Sequence, residues 1–397
     1  MGQRTVLIAL LCICAASAAG TQGPTAGGDW PTVEPTALVQ VDGVANDLDG
    51  DVHRALNLRR ARLGVAGELF PSIFYSLNFE LGGAVDDERR RLNNLWLEYR
   101  GFGSVRLRAG LFAPSQPFEG PTPGLLFLER AAPASVQRSL AGGNGAKALA
   151  VFANGSRWTA SAGLSSGSIY GSPGRDPLAA NARYSVIARN AQPLVHLGGN
   201  ATWGIHAAAG QARFSERGET RSTSRKLVDS GLVDARGAWA VGFEAGAQWR
   251  RFFAQTEYYR FGIQTASPPA LWYSGWYLLA AWTVVGEPRR YRVSNGSFDS
   301  PRSSQLFRPR RGDWGALEVA ARYSQLNLED GGGSRGASFS SAIGGDQRVL
   351  SIVFNWYPDE HVRVQAGLQQ IETRSSEQRS DATPDFRLLS LRTQFVM

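Results

Sequence analysis

The stretch Trp239–Trp249 reads Trp-Ala-Val-Gly-Phe-Glu-Ala-Gly-Ala-Gln-Trp and decides the fold. One parity of this stretch is apolar throughout: Trp239, Val241, Phe243, Ala245, Ala247 and Trp249. The other parity consists of small or polar residues: Ala240, Gly242, Glu244, Gly246 and Gln248. Strict alternation over this length predicts a β-strand with one apolar face and one polar face.

The same alternation recurs along the chain, and clusters of Gly, Pro, Ser, Asn and Asp separate the alternating segments. Further examples are Tyr75–Leu81, Val105–Leu111, Leu317–Tyr323, Val362–Leu368 and the last segment, Leu389–Met397. Beyond the first residues the chain has no apolar run of about 18 residues, the length that a membrane-spanning helix needs. We therefore expect an all-β chain.

Aromatic residues mark the ends of the apolar rows, which separates a membrane barrel from a soluble sandwich. They are Tyr75, Trp239, Trp249, Trp272, Tyr273, Trp276, Tyr277, Trp282 and Tyr323. Aromatic girdles and a small, charged opposite face are typical of transmembrane β-barrels. Because backbone groups in lipid must all be paired, the sheet must close. About 23 residues per strand and connection predict about 16 antiparallel strands around a water-filled lumen.

Composition and the first residues indicate an exported, folded protein. The chain has 397 residues, a net charge of +8 and 43% hydrophobic residues, which is too apolar for intrinsic disorder. Arg4, the apolar run Val6–Ala16 and the small residues Ala16–Ala18 predict a cleaved signal peptide over residues 1–18. Both cysteines lie inside it, so we expect no disulfide, thiol nucleophile or cysteine metal site. Residues 19–36 are predicted to be a flexible segment and residues 37–397 the outer-membrane β-barrel.

Several segments carry a resemblance to a known family. They are Leu58–Val65, Leu95–Tyr99, Arg108–Pro114, Phe118–Glu119, Phe127–Arg130, Gly286–Tyr291, Gly312–Ser324, Asn355–Pro358 and Leu391–Phe395. In order and spacing they resemble the phosphate-selective porin O/P family of Gram-negative outer membranes. The resemblance implies a 16-stranded barrel, a homotrimer, and an anion-preferring channel with phosphate as its best-known cargo. It also implies a third loop that folds inward and narrows the pore.

If the apolar parity faces lipid, a set of arginines faces the lumen. The predicted pore-lining residues are Arg60, Arg62, Arg106, Arg108, Arg250, Arg322, Arg363 and Arg392, with Arg130 nearby. Acids on the same face are Glu80, Glu98, Glu244, Glu257 and Glu318. Forked guanidinium donors in a row suit the passage of oxyanions. The alternative is that these arginines pair with the glutamates and simply solvate a wide pore.

The segment Ser115–Arg138, rich in Pro and Gly, is the candidate constriction loop. Phosphate-selective relatives place a lysine there, whereas this chain has Gly120–Gly124 in that region. Arg130, Arg138 and Lys147 are the nearest cations, so a less selective anion channel remains an equal alternative. Two charged loops are Asp86–Arg91 and Arg289–Arg311. The second could attract anions to a mouth of the pore, bind lipopolysaccharide phosphates or simply be solvated.

Other chemistry finds no support in the sequence. The histidines His53, His196, His206 and His361 lack metal-ligand spacing, and no nucleophile is placed beside a base. We expect no enzyme activity, cofactor, metal or nucleic-acid partner. The prediction is an outer-membrane porin for phosphate or other small anions, in contact with membrane lipid and lipopolysaccharide. The alternatives are a general, weakly selective pore, and a plugged barrel with an adhesion, receptor or structural role.

Overall fold

The structure is a computed structural model. It describes residues 30–48, 51–83, 91–114, 116–143, 145–168, 177–207, 210–267, 269–302, 307–329, 344–374 and 385–397. The predicted signal peptide, most of the predicted flexible segment and residues 86–90 of the first charged loop lie outside this part of the chain. The first strand begins at Glu34, slightly before the predicted boundary at residue 37.

Sixteen long antiparallel strands form one closed sheet, which confirms the predicted all-β barrel. The first eight are β1 Glu34–Asn46, β2 His53–Phe70, β3 Ile73–Glu80, β4 Arg91–Phe102, β5 Val105–Leu111, β6 Ala146–Asn154, β7 Trp158–Ser168 and β8 Leu178–Arg189. The second eight are β9 Leu194–His206, β10 Val233–Trp249, β11 Phe252–Thr265, β12 Leu271–Val285, β13 Ala316–Asn327, β14 Asp346–Tyr357, β15 Val362–Arg374 and β16 Phe386–Val396. Among the described residues, no helix is long and apolar enough to cross a membrane.

The last strand closes the barrel by pairing with the first. Asp42 of β1 lies opposite Arg392 of β16, and the Ala37 amide donates to the Met397 carbonyl over 2.9 Å. Each strand therefore has a hydrogen-bonded neighbour on both sides, as a sheet in lipid requires. The end of the barrel where β1 starts and β16 stops is called the termini end below, and the opposite end the loop end.

The predicted alternation of faces is confirmed, and β10 shows it clearly. In β10, Val241 and Phe243 are more than half exposed on the outer surface, whereas Ala240 and Glu244 are fully buried inside. The remaining described strands with strict alternation follow the same rule, including the closing strand Phe386–Val396. The barrel therefore presents apolar side chains to lipid and its other parity to the interior.

Aromatic side chains form clusters on the outer surface near both ends of neighbouring strands. Phe252 stacks between Trp249 and Trp282 at the termini end, with ring centroids 6.2 and 5.9 Å away. Trp239 contacts Trp203 and Trp272 towards the loop end. The prediction was wrong for Tyr273 and Tyr277, which point inward and are buried, because they alternate with outward Trp272 and Trp276.

Part of the interior wall is apolar, which the sequence analysis did not foresee. Inward residues of β10–β13 form a buried hydrophobic core with the segment that follows β5. Its larger wall residues include Phe253, Phe261, Ile263, Tyr277 and Leu279. Packing of this kind needs an inner partner, so this half of the lumen is filled with protein instead of water.

In the part of the chain that the structure describes, three connections enter the lumen and provide that partner. Residues 116–143 and 213–232 enter from the loop end, and residues 287–302 enter from the termini end. The first contains a helix, α1 Ala132–Leu140, with Pro133 in its first turn, where a missing amide hydrogen costs nothing. The other two each form a short hairpin, Ser215–Glu216 with Val228–Asp229 and Tyr291–Arg292 with Ser297–Phe298.

Candidate functional site: an arginine cavity inside the barrel

Between the described interior segments and the barrel wall, a space remains against the inner wall of β2–β5. A cavity of about 420 Å³ and a smaller one of about 180 Å³ share Arg62, Asn93, Thr122, Arg130 and Arg138 in their linings. We call the two together the arginine cavity. Its charged lining comprises Arg59, Arg60, Arg62, Arg108, Arg130, Arg138 and Arg221, with Glu80, Glu129 and Glu216.

Strand β2 supplies three arginines to the cavity, Arg59, Arg60 and Arg62, and a β-bulge places Arg59 among them. Gln40 pairs with Arg60 but Val41 pairs with Leu58, so Arg59 is the extra residue, and Arg59 and Arg60 are both buried inside. A bulge places two residues opposite one and breaks the alternation of faces. The sequence alternation therefore predicted Arg60 and Arg62 for the lumen but missed Arg59.

Glu129, in the segment after β5, is the common partner of Arg59 and Arg60 from β2 and also lies near Arg392 of β16. Its carboxylate lies 2.7 Å from Arg59 Nε, 3.1 Å from Arg60 Nη2 and 3.7 Å from Arg392 Nη2. Burial raises the pKa of Glu129, but the three guanidinium groups outweigh burial and hold the pKa well below its ordinary value. Asp42 also pairs with Arg392, so two carboxylates stand against three guanidinium groups, and the cluster keeps a positive balance.

Arg130 and Arg138 bring two further charges to the same cavity from the interior segment. Burial lowers the pKa of Arg138 well below its ordinary value, and the positive charges of Arg130 and Arg62 lower it further. Arg130 is only 8% exposed, and its Nη1 is buried with no hydrogen-bond partner among the described residues. Burial thus acts against the charged form of both guanidinium groups, and neighbouring positive charges add to this effect at Arg138.

Arg108 and Arg106 lie on β5 with inward side chains, as predicted. Arg108 donates from Nη2 to Glu98 over 2.6 Å, and its guanidinium carbon lies 4.1 Å from the ring centroid of Trp96. Arg106 lies away from the arginine cavity lining, and its Nη2 donates to the Ser294 carbonyl of segment 287–302 over 3.0 Å. Arg108 therefore belongs to the cavity, and Arg106 holds an interior segment.

Arg322, Arg363 and Arg392 also face the interior, and each is at most 2% exposed. Their guanidinium groups donate to backbone carbonyls of the segment after β5: Arg322 to Glu129, Arg363 to Leu125 and Arg392 to Leu128. Arg392 also forms two 2.6 Å hydrogen bonds with Asp42. In this structure these three arginines anchor the segment and do not line the arginine cavity.

Arg250 differs from the prediction. It lies in the short turn between β10 and β11, is exposed, and has a positive φ of 53°. The strand parity ends at Trp249, so the alternation used to assign Arg250 to the lumen does not extend to it. Its guanidinium carbon lies 5.4 Å from the ring centroid of Trp249, on the outer surface.

The predicted lumen acids are divided between the arginine cavity and the opposite wall of the barrel. Glu80 lines the arginine cavity and pairs with Arg62, whereas Glu244, Glu257 and Glu318 are fully buried on the far wall.

The second charged loop, Arg289–Arg311, forms several ion pairs. Arg289 is buried, and its Nη2 donates to Glu318 over 2.6 Å. Arg290 and Arg292 pair with Glu287 and Asp299. Arg289, Arg290 and Arg292 are therefore engaged in ion pairs, whereas Arg302, Arg308, Arg310 and Arg311 of the same loop are exposed.

Sequence reasoning missed the cavity residues that lie outside strict strand alternation. Glu129, Glu216 and Arg221 lie on interior segments, and Arg138 was noted only as a neighbouring cation. Their sequence surroundings carry no periodic signal that distinguishes a segment inside the barrel from a solvated loop. The described residues contain no cluster of three or more His, Cys, Asp or Glu side chains that could hold a metal ion.

A closed sixteen-stranded barrel with an apolar exterior, aromatic belts and a charged interior cavity defines an outer-membrane porin. Residues 37–397 match the family model described as phosphate-selective porin O and P. The chain belongs to this family. It is accordingly a porin of the Gram-negative outer membrane, and its family and fold are those of a channel.

Two relatives document the similarity in sequence. An uncharacterized protein of Caulobacter vibrioides is 24% identical over 366 residues, which is 88% of this chain and 69% of that protein. Porin O of Pseudomonas aeruginosa is 26% identical over 186 residues, which is 46% of this chain and 39% of Porin O.

Solved structures document the similarity in fold. An anion-selective porin from Comamonas acidovorans has a TM-score of 0.60 at 11% identity, covering 92% of this chain and 99% of that one. The trimer form of OmpT from Vibrio cholerae has a TM-score of 0.56 at 11% identity, with 92% and 99% coverage. At these identities the likeness concerns the fold alone.

Proposed function

We propose that this porin is an anion-preferring diffusion channel for phosphate or other small anions, and that solutes pass through the arginine cavity. The observation that carries the proposal is the charge of that lining, in which seven arginines face three glutamates. A narrow, charged passage with protein walls concentrates ions of the opposite sign. No cofactor or energy source is needed.

The arrangement of charges supports passage as well as binding. Arg59 and Arg60 share Glu129, while Arg130 and Arg138 approach from the opposite side on the interior segment. An anion that leaves one guanidinium group therefore meets another within the same cavity, and multiple weak sites favour conduction over trapping. Residues 116–143 form one wall, and we propose them as the constriction of the channel.

The descriptions of similar proteins also favour an anion channel. The Comamonas acidovorans porin is described as anion-selective, and one sequence relative is a Porin O. OmpT of Vibrio cholerae has a trimer form, and we extend trimeric assembly to this chain as part of the proposal. The export signal over residues 1–18 and contacts with lipopolysaccharide complete the proposal.

The test is the reversal potential of the refolded protein in a planar bilayer under a potassium chloride gradient. We expect stepwise conductance and a reversal potential displaced towards that of chloride. Titration with phosphate then separates a phosphate channel from a less selective anion channel. If phosphate blocks the chloride current, the channel has a phosphate site; if it does not, the channel is a less selective anion channel. A reversal potential at zero or towards potassium would overturn the anion preference.

A second candidate function is a plugged barrel with an adhesion or structural role. The observation in its favour is the hydrophobic core between β10–β13 and the interior segments, which fills half of the lumen. Correctly folded protein that gives no conductance under any applied voltage would favour this candidate. Any reproducible stepwise conductance would exclude it.

A further inference from the structure

We propose that the arginine cavity favours organic carboxylates with a flat apolar body, aromatic monocarboxylates above all, over compact anions of the same charge. This inference rests on the proposed anion channel and names its substrate class. It comes from the smaller part of the cavity, where the lining is not purely polar. On that lining, Trp96, Phe112, Ala113, Pro121 and Pro123 accompany the arginines.

Trp96 is an unusual residue for its position. In β4, Leu95, Leu97 and Tyr99 point to lipid and are 44%, 50% and 39% exposed, so Trp96 shares the inward parity with Glu98. An indole group on the inner wall of a water-filled passage exposes apolar surface to water, which is unfavourable unless something covers it. The guanidinium group of Arg108 lies over one face of the Trp96 ring, and a flat solute would cover the part of the indole group that lines the cavity.

The aromatic surface and a positive charge are held together by a defined set of contacts. The guanidinium carbon of Arg108 lies 4.1 Å from the Trp96 ring centroid, 5.0 Å from that of Phe152 and 5.4 Å from that of Phe112. Glu98 holds the same guanidinium through hydrogen bonds of 2.6 and 2.8 Å. Charge and apolar surface are thus presented side by side, as a solute with a carboxylate at one end and a ring at the other requires.

Arg130 supplies a donor for the charged end. It lines both parts of the cavity, and its buried Nη1 has no hydrogen-bond partner among the described residues. No hydrogen-bond partner that the structure describes at Nη1 offsets the positive charge of this guanidinium group, so a carboxylate in the cavity would be attracted to it. A compact inorganic anion would be attracted in the same way, but it would leave the cavity-facing surfaces of Trp96, Pro121 and Pro123 in water.

The experiment measures reversal potentials under bi-ionic conditions, with sodium benzoate on one side and sodium acetate on the other. Both anions are monocarboxylates, so the comparison isolates the ring. We expect a benzoate-to-acetate permeability ratio about three- to ten-fold above the ratio of their mobilities in water, the range that one ring contact can give. Cyclohexanecarboxylate, which has a ring of similar size that is not flat, is expected to fall between them.

Trp96→Leu tests the residue, and Trp203→Leu is the matched control. Trp203 is a tryptophan on the outer surface, 49% exposed, and does not line the cavity. We expect Trp96→Leu to bring the ratio down to that of the mobilities and Trp203→Leu to leave it unchanged. The measurement on the unaltered protein decides the proposal even if Trp96→Leu does not fold.

The outcomes separate the two proposals. A channel that prefers chloride to potassium but passes benzoate no better than its mobility predicts would overturn the aromatic preference and leave the anion channel intact. A raised ratio that survives Trp96→Leu would also overturn the assignment to this site. Absence of any anion preference in chloride would overturn the proposed function itself.

Discussion

Arg130 is the side chain on which the electrostatics of the cavity can be tested most directly. It lines both parts of the cavity, and burial lowers its pKa while Glu119 and Glu129 raise it part of the way back. We expect Arg130→Ala to lower the chloride-to-potassium permeability ratio about five-fold. This corresponds to about 1 kcal/mol, an ordinary interaction between charges several ångströms apart in a partly aqueous site.

Arg250→Ala provides the control for that measurement. It removes the same charge from the chain, but Arg250 lies in an exposed turn outside the cavity lining. Bilayer recordings of both variants under one chloride gradient make the comparison. Equal effects of the two substitutions would show that net charge, and not the cavity, sets the selectivity.

Glu216 gives the channel a dependence on pH. Burial raises the pKa of this carboxyl group, and the Arg217 amide and Arg221 compensate only in part. Because a raised pKa means that the carboxylate takes up a proton at a higher pH than an ordinary glutamate does, the cavity loses this negative charge earlier as pH falls. We expect the chloride preference to rise as pH is lowered from about 7 to about 5. Glu216→Gln should show the higher preference at both values, and an unchanged pH profile in this variant would contradict the assignment.

At the scale of elements, the backbone of Leu125–Glu129 is held in the lumen by arginines of the barrel wall. Arg363 and Arg392 each donate to a carbonyl of this stretch over 2.7 and 2.6 Å. Arg392 is also the buried partner of Asp42. Removing one member of a buried ion pair costs about 3 to 5 kcal/mol, because the other charge remains buried without compensation.

We therefore expect Arg392→Ala to lower the free energy of unfolding by about 3 to 5 kcal/mol. Denaturant unfolding in lipid or detergent, followed by tryptophan fluorescence, measures the change. Arg387→Ala on the same strand is the control, since Arg387 is exposed and should have little effect. The double variant Arg392→Met with Asp42→Leu should recover much of the loss; no recovery would show that the backbone contact, not the ion pair, dominates.

The strands could be predicted from sequence, but the interior could not. Alternation assigns β10 and β16 to the correct faces because period two is a local property of the chain. The bulge at Arg59 breaks that period, and α1 lies in a Pro- and Gly-rich connection whose inward path depends on contacts with β11–β13. Arg322 and Arg363 were correctly placed inside, yet their partners are carbonyl groups far away in sequence, which no local pattern reveals.

The composition of the whole chain has a related explanation. Of its 42 basic residues only Lys147 and Lys226 are lysines. A guanidinium group can bind a carboxylate and a carbonyl at once, as Arg183 does with Glu244, Asn295 and Gly296. The ammonium group of lysine lacks this planar fork. Many arginines therefore serve the architecture, and the arginine content alone is weak evidence for a phosphate cargo.

For the molecule as a whole, the arginine cavity is displaced to the β2–β5 side, because the described interior segments pack against the wall of β10–β13. Segment 287–302 fills part of the lumen from the termini end. At its base, the Glu287 amide donates to the Arg302 carbonyl, which brings the two ends of the segment together. Replacing residues 288–301 by a two-residue Gly-containing turn would remove the segment and keep its base. We expect at least about a two-fold rise in single-channel conductance, because a pore of this strand number is wide when unfilled.

The deletion needs one compensation. Arg289 is the buried partner of Glu318, so Glu318→Gln should accompany it to avoid an uncompensated carboxylate. Glu318→Gln in the full-length chain is the control. Unchanged conductance of a folded deletion variant would show that segment 287–302 does not limit the path.

The seam between β1 and β16 has a consequence for biogenesis. Asp42 and Arg392 are 350 positions apart, and Gln40 bonds Gln394 across 354 positions. Contacts between residues so far apart in sequence are slow to form, and a barrel that lacks β16 would have two unpaired sheet edges and would leave Asp42 without its Arg392 partner. Closure of the barrel therefore requires synthesis of β16, and a product truncated before this strand would expose the edges of β1 and β15.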